Sequence, residues 1–208
     1  MQEIARTERL TLRHFRMEDA RRVQALCNNW NVARSLSRMP YPYTEEHAIA
    51  WLASHDEARA SGREFPLAIE SGGELIGSTG VMVHESGESE IGYWIGEPWW
   101  NRGFATEAAR AAISFAFERL GSDAVTAVHH ADNHASGRVL TKLGFRYTGE
   151  DRRWCEARRE KVHCLLMRFA RPAAGTDSAG TESGLASGCR STIESRMLAT
   201  RLTGFRSA

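Results

Sequence analysis

Alternating apolar and polar residues predict a series of short strands along most of the chain. A period of two is typical of a half-buried strand, and it appears over residues 8–15, 65–70, 75–84 and 89–96. Polar and glycine-rich turns join the last three of these, so we expect an antiparallel meander. Three more strands are predicted at residues 124–130, 145–154 and 161–169, of which the last two form a hairpin.

Apolar residues at helical spacing predict four helices between these strands. They cover residues 18–28, 44–60, 105–120 and 133–143, with Thr44 and Asn133 as N-caps and with Gly121 and Gly144 as stops. The second of these helices is expected to bury Ile49. Between residues 90 and 143 the order is strand, helix, strand, helix, which favours a right-handed crossover between two parallel strands. The pattern therefore predicts a mixed α/β fold in which helices flank a sheet.

The character of the sequence changes after residue 171. Residues 173–191 consist mainly of Ala, Gly, Ser and Thr, which offer little apolar surface to bury. We therefore expect one domain over residues 8–171 and a low-complexity, disordered tail over residues 172–208.

The overall composition supports neither a membrane protein nor a nucleic-acid-binding protein. The 208 residues carry a net charge of +1, with 42% hydrophobic and 25% charged residues, so no global charge attracts polyanions. No apolar run is long enough to span a bilayer, and the first residues lack the apolar stretch of a secretory signal. We expect a cytoplasmic protein, and we interpret the basic run at residues 152–159 as a solvated hairpin tip rather than a direct nucleic-acid site.

Cysteines and histidines give no metal-binding pattern. The four cysteines form no CxxC pair, and together with the histidines they make no zinc spacing. His129, His130 and His134 lie close together in sequence, but no further ligand falls at a suitable distance. We therefore expect reduced thiols and no metal.

The turn before the helix at 105–120 is the strongest candidate for a ligand site. Gly103 and Ala105 leave the backbone bare where the helix starts, and the first amides of a helix have no partner within it. Because the positive end of the helix dipole lies behind these amides, the turn is suited to an anion. No Gly-Lys-Ser/Thr follows Gly103, which excludes a P-loop for a nucleoside triphosphate.

Three segments, in a fixed order, carry a more specific pattern. They are Glu-Ile-Gly-Tyr-Trp-Ile at residues 90–95, Trp-x-x-Gly-x-Ala-Thr-Glu-Ala at 100–108, and Asn-x-x-Ser-x-Arg-Val-Leu-x-Lys-Leu-Gly-Phe at 133–145. Together they resemble the GNAT N-acetyltransferase superfamily over residues 8–170, and they are most similar to its RimJ/RimL branch, which acetylates protein N-termini. Trp100 departs from the Gln or Arg of the family loop, and Asn101 stands where this branch often has Gly.

The resemblance implies a fold and a cofactor. The GNAT fold has a central mixed, mostly antiparallel sheet of about six to seven strands, flanked by about four helices and splayed between the fourth and fifth strands. Acetyl-CoA would place its pantetheine arm in that gap and its pyrophosphate on the turn at Gly103. The cofactor-binding residues implied in this way are Trp94, Ile95, Gly96, Arg102, Gly103, Phe104, Ala105, Thr106, Asn133 and Ser136.

The same resemblance suggests two catalytic residues. Glu90 is the candidate base, because this branch often carries an acidic residue on that strand; Glu85 and Glu88 are weaker candidates, and each could instead be an exposed charge. Ser136 is the candidate acid for the leaving thiolate, or else a helix-start residue that bonds only to backbone. Leu140 occupies the position where many members have a tyrosine acid, which excludes that role there.

The predicted function is acetyl transfer to a primary amine by direct attack on the thioester. An α-amine has a pKa near 8 and a lysine near 10.4, so an N-terminal amine needs only about 1 kcal/mol of help to lose its proton near neutral pH. The leading prediction is a protein N-terminal acetyltransferase of the ribosomal-protein type. A small-amine acetyltransferase and a non-catalytic CoA-binding module remain alternatives, and the protein could be a monomer or a homodimer.

Overall fold

A computed structural model describes residues 3–172, which form one eight-stranded sheet covered by helices. The strands are β1 Glu3–Arg6, β2 Thr11–Arg13, β3 Glu64–Ser71, β4 Glu74–Val83, β5 Ser89–Ile95, β6 Ala124–His130, β7 Arg146–Cys155 and β8 Glu160–Ala170. Their order in the sheet is β1-β2-β3-β4-β5-β6-β8-β7. All neighbours are antiparallel except β5 and β6, so the predicted mixed fold is confirmed.

The helices are α1 Ala20–Cys27, α2 Trp30–Ala33, α3 Glu45–Ala53, α4 His55–Ala60, α5 Phe104–Glu118 and α6 His134–Lys142. Short 3-10 turns precede α1 and α5. No helix within residues 3–172 is long and apolar enough to cross a membrane. The predicted tail at 172–208 lies almost wholly outside the described residues, and the domain boundary at 171 stays a prediction.

Three details differ from the sequence prediction. The sheet has eight strands instead of six to seven. The additional strand is β1, which is four residues long, precedes the predicted first strand in the sequence and pairs with β2. The predicted helix at 44–60 is divided at Ser54, whose hydroxyl bonds to the carbonyl of Trp51 at 2.7 Å and competes with the helical ladder. Ile49, expected to be buried, is 43% exposed, whereas His55 is buried.

Each face of the sheet buries a different set of helices. Leu67 and Ile69 on β3 lie in a core cluster with Phe104 and Ala108 of α5. Ala68, between them on the same strand, packs instead in a cluster with residues of α1 and α3. The alternation of β3 thus fixes α5 on one face of the sheet and the α1–α3 pair on the other.

The parallel strands β5 and β6 part soon after they meet, which confirms the expected splay. Their register covers only Ser89 with Val125 and Glu90 with Thr126. Beyond that point the two strands diverge, while β5 stays paired to β4 along its whole length. A gap lined by backbone on both sides therefore opens at the centre of the sheet.

Candidate functional site

The gap between β5 and β6 leads into a cleft of about 1230 Å³. Its walls include the starts of α5 and α6, the loop at residues 34–40 and part of α3. Most of the predicted site residues line it, namely Glu90, Trp94, Ile95, Gly103, Phe104, Ala105, Thr106, Asn133 and Ser136. Gly96 and Arg102 are not among its lining residues.

The turn before α5 presents unpaired amides, as expected. Asn101 and Gly103 both adopt left-handed backbone, with φ of 60° and 82°. The first helical bond runs from the amide of Glu107 to the carbonyl of Gly103 at 3.1 Å, and no side chain caps the helix. The three amides at the start of α5 are therefore free of helical partners and lie at the positive end of a helix of 15 residues.

The side chain of Arg9, which the sequence patterns did not indicate, stabilises this turn through hydrogen bonds. Arg9 donates through Nη1 to the carbonyl of Arg102 at 2.9 Å and through Nε to Glu107 Oε2 at 2.8 Å. Thr7 donates to Glu107 Oε1 at 2.6 Å. Although partial burial favours protonation, these hydrogen bonds hold the pKa of Glu107 below its ordinary value. No local pattern reveals this contact, since Arg9 and Glu107 lie 98 residues apart.

Two cations lie at the turn that starts α5, and two more lie on the wall of the cleft. Arg9 and Arg102 stand over the ring of Phe104, at 4.7 Å and 4.9 Å from its centre. Arg138 and Lys142 lie one helical turn apart on α6 and both line the cleft. Both α6 residues belong to the third sequence segment, in which neither was assigned a separate role.

The backbone groups that face the gap are not quite those expected. The amide of Gly96 donates to the carbonyl of Ile76 at 2.8 Å, on the β4 side. Since alternate residues of an antiparallel strand point to the same neighbour, Trp94 also points to β4, where it pairs with Ser78. Of the three predicted cofactor-binding positions Trp94, Ile95 and Gly96, only Ile95 directs its amide into the gap, and Tyr93 points there with it.

Gly96 has a packing role instead. A Cβ at this position would lie 2.7 Å from Leu26 Cδ2 and 3.2 Å from the ring of Trp99. Trp100 occupies one backbone carbonyl that faces the gap, because its indole N–H donates to the carbonyl of Ile95 at 2.6 Å. Trp100, the residue that departs from the family loop, thus contacts β5 beside the gap.

Glu90 lies between two basic groups, in the part of the cleft that also contains Glu64 and Asp132 and that we call the acceptor half. Its Oε1 is 3.5 Å from Nη1 of Arg153 and its Oε2 is 3.8 Å from Nε2 of His84. The side chain is 20% exposed, so it is accessible from the cleft. Of the weaker candidates, Glu88 is bound to Arg168 at 2.8 Å outside the cleft, and Glu85 does not line it.

The start of α6 has the expected cap and one unexpected partner. Asn133 accepts from the amide of Ser136 through Oδ1 at 3.2 Å, which is the predicted N-cap bond. The hydroxyl of Ser136 lies 2.9 Å from Oη of Tyr93, on the opposite wall. Burial raises the pKa of Tyr93 to about 12. The only sequence signal for this residue was a polar group on the apolar face of β5.

The other acids of the acceptor half are paired. Glu64 binds Arg38 at 3.0 Å and Asp132 binds Arg158 at 2.8 Å. Arg158 therefore contacts the cleft wall instead of forming part of a solvated hairpin tip, which corrects that interpretation. Trp30 and Tyr41, next in sequence to the lining residues Asn31 and Pro40, have exposed rings that meet edge to face at 5.3 Å.

The three histidines noted in the sequence do not converge on a metal. His129 and His130 are buried, and His130 contacts the carbonyl of Arg34 at 3.2 Å. Burial and nearby Arg158 lower the pKa of His130. Within residues 3–172, no three His, Cys, Asp or Glu side chains are grouped to hold a metal ion.

Comparison with known proteins identifies the family of the chain. The acetyltransferase (GNAT) domain model matches residues 9–146. The N-acetyltransferase YoaA of Bacillus subtilis (strain 168) is 34% identical over 152 residues, covering 70% of this chain and 84% of that protein. The spermidine N(1)-acetyltransferase of Escherichia coli (strain K12) is 30% identical over 144 residues, covering 67% and 74%.

A solved structure agrees at the level of the fold. RimL, a ribosomal L7/L12 alpha-N-protein acetyltransferase in complex with coenzyme A, superposes with a TM-score of 0.73 at 17% identity, over 81% of this chain and 98% of that one. The splayed sheet and the left-handed turn at Gly103 are features that the sequence resemblance implied. The chain therefore belongs to the GNAT acetyltransferase family and is an acyltransferase.

Proposed function

We propose that this enzyme moves the acetyl group of acetyl-CoA to the N-terminal α-amine of a protein. The observation that carries the acceptor class is the pairing of the cleft's carboxylates. Within residues 3–172, three acids line the cleft and each has a basic partner, namely Arg38 for Glu64, Arg153 and His84 for Glu90, and Arg158 and Arg34 for Asp132. A single amine suits such a site better than a polyamine, which requires several unpaired carboxylates.

The proposed donor site extends from the turn to the gap. The amides of Phe104, Ala105 and Thr106 would bind the pyrophosphate, with Arg102, Arg138 and Lys142 supplying positive charge. The pantetheine arm would then pair with the open backbone of β5 at Ile95 and at the Tyr93 carbonyl. Asn133 fixes the start of α6 beside the thioester.

Glu90 is the proposed base for the attacking amine. An α-amine with a pKa near 8 needs its proton removed only in part at pH 7, so a carboxylate acting through a water molecule is sufficient. The amine nitrogen then bonds to the thioester carbon, and the carbonyl oxygen gains negative charge. The Tyr93 amide, which points into the gap on the strand that carries Glu90, is the proposed donor to that oxygen. Ser136 would donate to the departing sulfur.

The exposed rings of Trp30 and Tyr41 favour a polypeptide acceptor. Trp30 and Tyr41 leave apolar surface beside an open cleft, where an extended chain could lie behind its N-terminal amine. RimL, whose fold this chain shares, acts on a protein.

A polyamine is the second candidate acceptor. It is favoured by the 30% identity to the Escherichia coli spermidine N(1)-acetyltransferase. For such an acceptor to bind, its second ammonium group would have to displace an arginine from Glu64 or Asp132. The two candidates therefore differ in the charge that the acceptor half must accommodate.

The test is to measure CoA release from acetyl-CoA with N-terminal peptides, free amino acids and polyamines at equal concentrations. We expect turnover with peptides and little with spermidine. Preference for spermidine would replace the proposed acceptor, and CoA binding without turnover on any amine would contradict the proposed chemistry. Arg38→Ala serves as a control, because freeing Glu64 should raise the turnover of spermidine relative to that of peptides.

A further inference from the structure

The hydroxyl groups of Tyr93 and Ser136 form a pair that joins the two walls of the cleft. Tyr93 projects from β5 and Ser136 from the first turn of α6, and their oxygens are 2.9 Å apart. The phenol oxygen is also 3.4 Å from the Ser136 carbonyl, a longer and weaker contact. Both residues line the cleft. This hydrogen bond is therefore a link between the strand and the helix that flank the donor site.

We propose that Tyr93 is a positioning residue for thiolate departure: its phenol donates to Ser136 Oγ and so directs the Ser136 hydroxyl hydrogen toward the sulfur of the donor. The inference rests on the proposed role of Ser136. A hydroxyl has one hydrogen to donate. If Ser136 donated it to Tyr93, none would remain for the sulfur, whereas donation by Tyr93 leaves the Ser136 hydrogen available.

The balance of bonds and protons in thiolate departure determines the role of the Tyr93–Ser136 pair. When the tetrahedral intermediate collapses, the C–S bond breaks and its electron pair goes to sulfur. A thiol has a pKa near 8.5, so the sulfur can leave as a thiolate that accepts a hydrogen bond from Ser136. The proton released by the amine passes to solvent through Glu90, and the thiolate takes a proton from solvent after it leaves. Neither Tyr93 nor Ser136 changes its net protonation.

The surroundings of Tyr93 suit a donor that stays neutral. Its ring packs beside a core cluster that includes Ile91 and Ala109. Since burial raises the pKa of Tyr93, the phenol keeps its hydrogen throughout the range in which the α-amine acceptor titrates. The hydroxyl is also the only polar group of this side chain, so Tyr93→Phe removes the bond and leaves the packing in place.

A double-mutant cycle tests the inference. We expect Ser136→Ala to lower kcat about tenfold and Tyr93→Phe about fivefold, the size expected for one lost hydrogen bond. In the Ser136→Ala background, Tyr93→Phe should have no further effect, because it acts only through that hydroxyl. The dissociation constant for CoA should stay within twofold in all variants. Tyr147→Phe is the matched control, since Tyr147 lies outside the cleft lining and contacts His129 at 3.4 Å.

The outcomes separate this inference from the proposed function. A normal kcat in Tyr93→Phe with a lowered kcat in Ser136→Ala would overturn the role of Tyr93 alone. Equal losses from Tyr93→Phe in both backgrounds, or a loss of CoA affinity as large as the loss of kcat, would also overturn it. A normal kcat in Ser136→Ala, or no amine turned over by the wild-type enzyme, would contradict the proposed function and this inference with it.

Discussion

At the scale of single residues, Glu90 and Glu88 are two residues apart but have different surroundings. Glu90 lies in the cleft, 3.5 Å from Arg153 and 3.8 Å from His84, whereas Glu88 is held by Arg168 outside it. Arg153 keeps a second partner, Asp151 at 3.2 Å, so loss of the Glu90 charge leaves this arginine paired. The two glutamates therefore form a matched pair for testing the base.

We expect Glu90→Gln to lower kcat/KM for a peptide acceptor about tenfold at pH 7, because only about one tenth of an α-amine with a pKa near 8 is neutral there. The defect should shrink as the pH rises through the pKa of the α-amine, because a neutral amine needs no base. The measurement is the pH profile of kcat/KM for the variant and the wild type. Glu88→Gln should behave like the wild type, and a defect in Glu90→Gln that does not change with pH would argue against its role as a base.

Gly103 and Gly121 are a second matched pair, at the two ends of α5. Both have left-handed backbone, with φ of 82° and 70°. A Cβ at Gly103 would lie 3.3 Å from Nη2 of Arg9, whereas at Gly121 it would meet nothing within 4 Å. Valine at either position should cost at least about 1 kcal/mol of stability through backbone strain.

Only Gly103→Val should also lower the affinity for CoA, by at least about tenfold, because a relaxed turn no longer directs its amides at the pyrophosphate. Calorimetric titration with CoA and thermal melting of both variants separate the two effects. Equal CoA affinity in the two variants would place the pyrophosphate elsewhere.

At the scale of elements, the segment between β1 and β2 supports the turn that starts α5. Arg9 bonds to the Arg102 carbonyl and to Glu107, and Glu107 also accepts from Thr7. The N-terminal strands thus hold the left-handed turn in place through side chains. The β1–β2 segment is far from the turn in sequence, so local propensity alone does not produce this arrangement.

We expect Arg9→Ala to raise KM for acetyl-CoA about fivefold with little change in kcat. The estimate is about 1 kcal/mol, the low end for charge-assisted hydrogen bonds, because Arg9 is 44% exposed. Steady-state kinetics at saturating acceptor measure both constants. Arg6→Ala is the control, since Arg6 is 71% exposed and lies 3.7 Å from Glu3; an equal effect there would indicate general charge attraction rather than support of the turn.

At the scale of the whole molecule, one buried ion cluster connects β2, the turn before α1 and β3. Arg13 is 3% exposed and binds Asp19 at 2.8 Å and Glu70 at 2.7 Å. Although burial disfavours its charge, bonds from Arg13 and from the Arg16 amide hold the pKa of Asp19 below its ordinary value. A carboxyl whose pKa is lower in the folded state stabilises that state above its unfolded pKa, and this contribution is lost as the pH falls through the folded value.

We therefore expect the melting temperature to fall steeply below about pH 4, the unfolded pKa of an aspartate. Asp19→Asn should lower the melting temperature at pH 7 and flatten its dependence on pH below 4, because the titrating group is gone. Differential scanning calorimetry from pH 7 to pH 3 provides the comparison. Asp56→Asn, at an exposed carboxylate on α4, should leave the pH dependence unchanged; the same flattening in both variants would remove the special role of the cluster.

The sequence determined the parts of the site that depend on local chemistry. The Gly103 turn, the Asn133 cap and the strand that carries Glu90 follow from spacing, helix dipoles and capping preferences that act over a few residues. Only the tertiary structure decided which backbone amides face the gap, that Arg9 braces the turn and that Tyr93 meets Ser136. Each of these depends on strand register or on contacts between distant segments, and a shift of one residue in register would reverse the direction of every group on β5.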